Sequence, residues 1–243
     1  MFQSLKNGSW ARLRLTLLMV AVGAVSRGCG ENVPTLSAEP ARTTGTVVYV
    51  LLDVSGSMSD PVTNATGNSE AKLSIAKRAA IDVCKAVAKY AAEDKTRHLE
   101  IALATFSNDF QVTTAMGEPN VEKAELAINQ LAARGGTAIG NAVIEAQKAL
   151  DRTRLKSQHI LIITDGENNL GLSPTGAADA LNALPEALRP AVYVVAFDVN
   201  AKVFDGVKNK GWQVFSAANG KELTQRLDEV VGGHILVEQY SDH

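Results

Sequence analysis

Three oxygen-bearing side chains stand at two-residue spacing in this chain, Asp53, Ser55 and Ser57. They follow directly on an unbroken apolar and β-branched run, Thr46-Val-Val-Tyr-Val-Leu-Leu. Such a run reads as a strand buried on both faces, and a carboxylate with two hydroxyls does not belong in the core it came from. The strand therefore delivers these groups to its carboxyl end, the edge where open parallel sheets bind ligands. A second run, Gln158-His-Ile-Leu-Ile-Ile-Thr, ends the same way in Asp165. Two strands of this kind can bring Asp53 and Asp165 to one sheet edge. Carboxylate and hydroxyl oxygens are hard donors and suit a hard divalent cation such as Mg²⁺. The competing explanation for each Asp is a loop-start cap that accepts nearby backbone N–H groups.

The elements that must position these groups alternate. A helix is expected over 73–92, its stripe formed by Leu73, Ala76, Ala80, Val83, Cys84, Val87 and Ala91, with Lys72, Lys77, Lys85 and Lys89 in water. Strands follow at 99–106 and 110–114, joined as a hairpin through Ser107-Asn108-Asp109, so one edge of the sheet is antiparallel. Further helices are read over 119–131, 138–155, 174–184 and 220–231, and further strands over 191–197 and 212–215. The segments 58–70 and 166–173 are polar loops over the site edge. Strands alternating with helices give a doubly wound α/β fold, a mostly parallel sheet with helices on both faces.

Asp53-Val-Ser55-Gly-Ser57 resembles the Asp-x-Ser-x-Ser motif of the von Willebrand factor A (VWA) domain. The metal-ion-dependent adhesion site of that family also has a downstream Thr and Asp. Gly135-Gly136-Thr137 and Ile163-Thr164-Asp165-Gly166 supply both in family order. The similarity runs from about Thr43 to Gly233. It implies a VWA fold and a metal site of Asp53, Ser55, Ser57, Thr137 and Asp165, in which hydroxyls touch the metal and the aspartates act through water. It also implies a metal-dependent protein-binding module without turnover, whose cation captures an acidic residue of a protein partner. Mg²⁺ is the expected metal, with Mn²⁺ and Ca²⁺ as alternatives. Taken alone, Thr137 reads first as the N-cap of the helix that follows it.

The 243 residues, 46% hydrophobic, suffice for one well-cored domain and a tail. Residues 1–29 resemble a bacterial export signal, with Lys6, Arg12 and Arg14 before the apolar stretch Leu15–Val25, too short for a membrane span. Ser26-Arg27-Gly28-Cys29 resembles a lipoprotein cleavage site, and Ala24-Val25-Ser26 offers ordinary cleavage instead. Residues 30–43 read as a tether, 44–233 as the domain and 234–243 as a tail. The chain is thus expected in the bacterial envelope, either periplasmic or anchored through lipidated Cys29.

Several activities are disfavoured. With 24 Lys+Arg against 26 Asp+Glu, no basic field attracts nucleic acid. Two cysteines build no disulfide framework, and Cys84 reads as a buried thiol. His98, His159, His234 and His243 are scattered without zinc-ligand spacing. No Gly-x-Ser-x-Gly elbow occurs, and Gly135 to Gly140 is not followed by the Lys-Ser/Thr of a P-loop. The enzymatic alternative is a haloacid-dehalogenase-like phosphatase with Asp53 as nucleophile and Asp165 on Mg²⁺. Such an enzyme wants an acid/base Asp two residues on, where this chain has Ser55. A structural envelope protein with an inert site is the third possibility.

Overall fold

In the computed structural model the described residues are 34, 43–63, 68–93, 95, 96 and 98–237. The expected signal with Cys29, and nearly all of the expected tether, lie outside them. β1 (Thr43–Asp53) is followed by a 3-10 turn (Gly56–Ser59), the short hairpin β2 (Pro61–Thr63) and β3 (Ser69–Ala71), and α1 (Lys72–Glu93). Then come β4 (Leu99–Phe106), β5 (Phe110–Gly117), α2 (Val121–Asn129), α3 (Ile139–Thr153) and β6 (Leu155–Thr164). The chain continues with α4 (Pro174–Asn182), β7 (Ala191–Phe197), α5 (Asp205–Lys208), β8 (Gln213–Ala217) and α6 (Gly220–Val230).

Six strands form one sheet in the order β5-β4-β1-β6-β7-β8, with the β2–β3 hairpin separate. β1 lies between β4 and β6 and pairs with both in parallel. β5 alone runs antiparallel in this sheet, as the hairpin reading expects. Because side chains alternate across a strand, β1 feeds two cores. Val48, Val50 and Leu52 pack among Ala76, Ala80 and Val87 of α1 and Leu223 and Leu227 of α6. Val47, Tyr49 and Leu51 pack among Ile139, Val143 and Leu150 of α3 and Ala177 and Leu181 of α4. These six β1 residues are at most 2% exposed. Full burial of each such side chain stabilises the fold by about 1.5–3 kcal/mol. β1 is therefore pinned from both faces, and its carboxyl end is fixed with it.

Four local expectations differ from what the chain does. Arg154 adopts a left-handed conformation (φ 56°), which ends α3 at Thr153 and lets β6 begin at Leu155 rather than Gln158. The segment after Ser57 is a turn and a hairpin, and Met58 is fully buried among the α1-side core instead of lying on a polar rim. Past α6 a π-helical turn (Val231–Ile235) buries Ile235 and Leu236, so helix and core continue beyond Gly233. Tyr90 Oη donates to Leu236 O at 2.8 Å and ties this end to α1. Finally, Lys72 is buried, with consequences for the site.

Candidate metal centre

The β1–β6 pairing sets Leu52 beside Ile163, so both strands leave the sheet side by side. Asp53 is fully buried. Its Oδ1 accepts the Ser55 N–H at 2.7 Å and its Oδ2 accepts the Thr164 hydroxyl at 2.6 Å. The loop-start cap weighed for Asp53 is thus present, and Thr164 adds a cross-strand bond to it. Burial is the main reason its carboxyl is pushed up to about 6. The hydrogen bonds from Thr164 and Ser55 oppose that shift, and the Asp165 charge adds to it. The turn that follows brings Ser55 Oγ and Ser57 Oγ to 3.1 Å, and Ser57 Oγ donates to Asp165 Oδ1 at 2.8 Å. Among the described residues Asp165 accepts no backbone N–H, so the capping explanation does not extend to it.

Thr137 comes from a third loop, and backbone bonds stitch that loop to the β1 loop and to the β4–β5 turn. Gly56 N donates to Gly135 O at 2.9 Å, Arg134 N to Val54 O at 2.7 Å, and Ala138 N to Ser107 O at 3.0 Å. Gly135 has φ 78°, a conformation glycine adopts without strain, and a Cβ there would lie 2.8 Å from Asn108 Oδ1. Thr137 is not the helix cap: α3 is capped by Ala138 without a side-chain bond. The hydroxyl of Thr137 has no hydrogen-bond partner among the described residues. Asn169 braces the residue instead, since Thr137 N donates to Asn169 Oδ1 (2.8 Å) and Asn169 N donates to Thr137 O (3.0 Å).

A Cβ built on Gly166 would stand 3.6 Å from Thr137 Oγ1 and 3.7 Å from Ser57 Oγ. These two hydroxyls from separate loops thus face one small space that glycine leaves open beside Asp165. All five predicted residues meet at this edge. Three hydroxyl and two carboxylate groups are the donor chemistry of a small hard cation, so the residues fit one.

Three more residues belong to this neighbourhood and escaped the reading of the sequence. Thr164 is the Asp53 partner already described. Lys72, expected in water, is buried, and its Nζ lies 3.1 Å from Asp165 Oδ2 and 3.0 Å from Asp198 Oδ2. Burial pulls its pKa down, but hydrogen bonds and attraction to Asp198 and Asp165 outweigh this and the net shift is upward. Asp198 ends β7 as Asp53 ends β1, and that repeated pattern was the available signal. The first-turn position of Lys72 gave none, because a helical stripe does not say which lysine overhangs the sheet edge.

A mostly parallel α/β sheet with helices on both faces, and with hydroxyls and carboxylates gathered at its parallel carboxyl edge, is a Rossmann-like fold. Residues 48–167 match the model of the von Willebrand factor type A domain, and the chain carries that domain. The fold is similar to the PilB minor pilin from Streptococcus sanguinis (TM-score 0.66, 15% identity, 86% of this chain and 64% of that one). It is also similar to a von Willebrand factor type A protein from Catenulispora acidiphila (TM-score 0.60, 18% identity, 77% of this chain and 42% of that one). A third likeness is the vWF domain of a type V pilus tip protein from Porphyromonas gingivalis (TM-score 0.62, 12% identity, 79% and 96%). The chain thus spans less than two thirds of the length of the first two. No curated protein matches the sequence. Among the described residues no helix is long and apolar enough to cross a membrane.

Proposed function

We propose that this domain is a metal-dependent protein-binding module of the bacterial cell envelope, without catalytic turnover. Ser55, Ser57 and Thr137 would hold a divalent cation through neutral hydroxyls, while Asp53 and Asp165 supply the negative charge. Mg²⁺ suits this compact, hydroxyl-rich set best, ahead of Mn²⁺ and Ca²⁺. Bound there, the cation would offer an electrophilic position to a carboxylate on a protein partner, a charge-assisted contact that exists only with metal. The observation that carries this reading is the convergence of Thr137 Oγ1 and Ser57 Oγ on the space beside Gly166, next to Asp165. The loops around residues 58–70 and 166–173 would select the partner, and Leu170, 41% exposed on the second, gives that rim an apolar contact.

The phosphatase alternative is disfavoured by the same geometry. Asp53 is fully buried with both carboxylate oxygens already accepting hydrogen bonds, a poor setting for a nucleophile. Envelope location and the choice between lipidated and soluble forms depend on Cys29 and the segment before it. Mass spectrometry of the membrane and periplasmic fractions distinguishes the two forms.

The test of the metal reading is thermal unfolding of the full chain after chelation, titrated with Mg²⁺, Mn²⁺ and Ca²⁺. At about 100 times its dissociation constant a bound ion adds about 2.7 kcal/mol of stability. The wild type is expected to gain that increment and Ser57→Ala to lose most of it. A wild type indifferent to all three ions would sink the proposal.

A further inference from the structure

Three parallel strands, β1, β6 and β7, each run straight into an aspartate, yet only two of those carboxylates belong to the five-residue set. The third, Asp198, is joined to the set by a cation the protein carries itself. Lys72, in the first turn of α1, reaches over the sheet edge with Nζ 3.1 Å from Asp165 Oδ2 and 3.0 Å from Asp198 Oδ2. Its side chain is 10% exposed, that of Asp165 0% and that of Asp198 40%. Asp198 is held in place by backbone: it takes a left-handed conformation (φ 53°), and its N–H donates to Ala217 O at 2.7 Å. Asp165 meanwhile receives Ser57 Oγ on its other oxygen. Each carboxylate oxygen of Asp165 thus has its own partner, one a hydroxyl of the metal set and one a fixed positive charge.

A full charge so close to a metal-binding carboxylate repels any cation that arrives there, and low local dielectric makes the repulsion count. We propose that Lys72 is a built-in counter-charge that weakens cation binding at this site, and that Asp198 moderates it by sharing the ammonium with Asp165. The consequence is a bound ion whose charge the protein leaves partly uncompensated, available to an external carboxylate. This inference rests on the metal reading above.

The alternative role for Lys72 is structural, as a strut that holds Asp165 in position. The two roles predict opposite signs. Mn²⁺ alone, titrated calorimetrically into the chelator-treated full chain, reads the difference. As a counter-charge, Lys72→Met keeps the aliphatic stem and tightens Mn²⁺ by about tenfold or more, and Lys72→Arg stays near wild type. Asp198→Asn, which suits the left-handed backbone, weakens Mn²⁺ by roughly threefold because the ammonium then belongs to Asp165 alone. These differences shrink in about 0.5 M salt. If wild type binds Mn²⁺ and Lys72→Met binds it equally or more weakly, the counter-charge is overturned while the metal site stands. If neither wild type nor Lys72→Met responds to Mn²⁺, Mg²⁺ or Ca²⁺, the metal reading fails and this inference with it. Circular dichroism of each variant verifies that the fold is kept.

Discussion

Thr137 is the residue in this site whose chemistry is least occupied by the protein itself. Its backbone is held on both sides by Asn169, yet its hydroxyl has no hydrogen-bond partner among the described residues. Replacing it by the isosteric Val therefore removes a donor from the site and little else. Thr137→Val is expected to change the stability of the metal-free protein by less than about 1 kcal/mol, since no internal hydrogen bond is lost. The same variant should weaken the stabilising response to Mg²⁺ by about tenfold in concentration, read as a shift of the thermal titration midpoint. Loss of metal-free stability by several kcal/mol would assign Thr137 a structural role. Cys84 is the opposite case. Burial pushes its thiol up to about 11, so it remains protonated and inert, as expected for a residue on the packed stripe of α1.

At the scale of elements, the site depends on how tightly α3 approaches the 166–173 loop. Gly140, in the first turn of α3, leaves no room for a side chain: a Cβ there would run into Leu172 O and lie 2.6 Å from Ser173 O, both backbone atoms. Backbone cannot swing aside as a side-chain tip can. Gly140→Ala is expected to destabilise the protein by about 2–3 kcal/mol. In a domain of this size that lowers Tm by roughly 5–10 °C, measurable by calorimetry. Because the displaced loop carries Asn169, the brace on Thr137, the metal response should weaken together with stability. A Gly140→Ala protein of unchanged Tm would contradict the close approach. The asparagines of this edge work in concert: Asn108 Oδ1 accepts Gly136 N, Asn141 Oδ1 accepts Leu172 N, and Asn169 Oδ1 accepts Thr137 N. None of these pairings could be read from composition, since each links segments about 30 residues apart.

For the whole molecule, pH is an informative variable because two buried groups act in opposite directions. His159 lies fully buried in β6, and burial pushes its pKa down to about 4 from 6.5. The unfolded chain therefore binds a proton that the native one refuses. The stabilising contribution of neutral His159 is complete above about pH 6.5 and is lost as pH falls toward 4, by at most about 3 kcal/mol. Asp53 runs the other way: its folded pKa of about 6 lies above the unfolded value. Its contribution is present at low pH and is lost as pH rises from about 4 to 6. Subtracting the two stability profiles isolates the histidine. His159→Leu should be least different from wild type near neutral pH and gain relative to it below pH 6, measured by urea unfolding at each pH with chelator present. Parallel profiles would mean that His159 titrates normally.

What the sequence determined by itself was the architecture and the meeting of Asp53, Ser55, Ser57 and Asp165. Both follow from local rules. An unbroken apolar run buries a strand on both faces, and a polar residue at its end has to leave the core there, so parallel strands carry such residues to one edge. Thr137 was added by the motif order of the VWA resemblance, not by periodicity. The tertiary structure alone decided the rest. It drew Lys72 over the edge between Asp165 and Asp198, put Thr164 against Asp53, buried Met58, and carried the core past Gly233. Each of these depends on where a crossover sets a helix along the sheet, or on how two loops distant in sequence meet. A pattern of period 2 or 3.6 fixes which face of an element is buried but leaves its axial position free. That freedom disappears only when the cores on both sides of β1 pack.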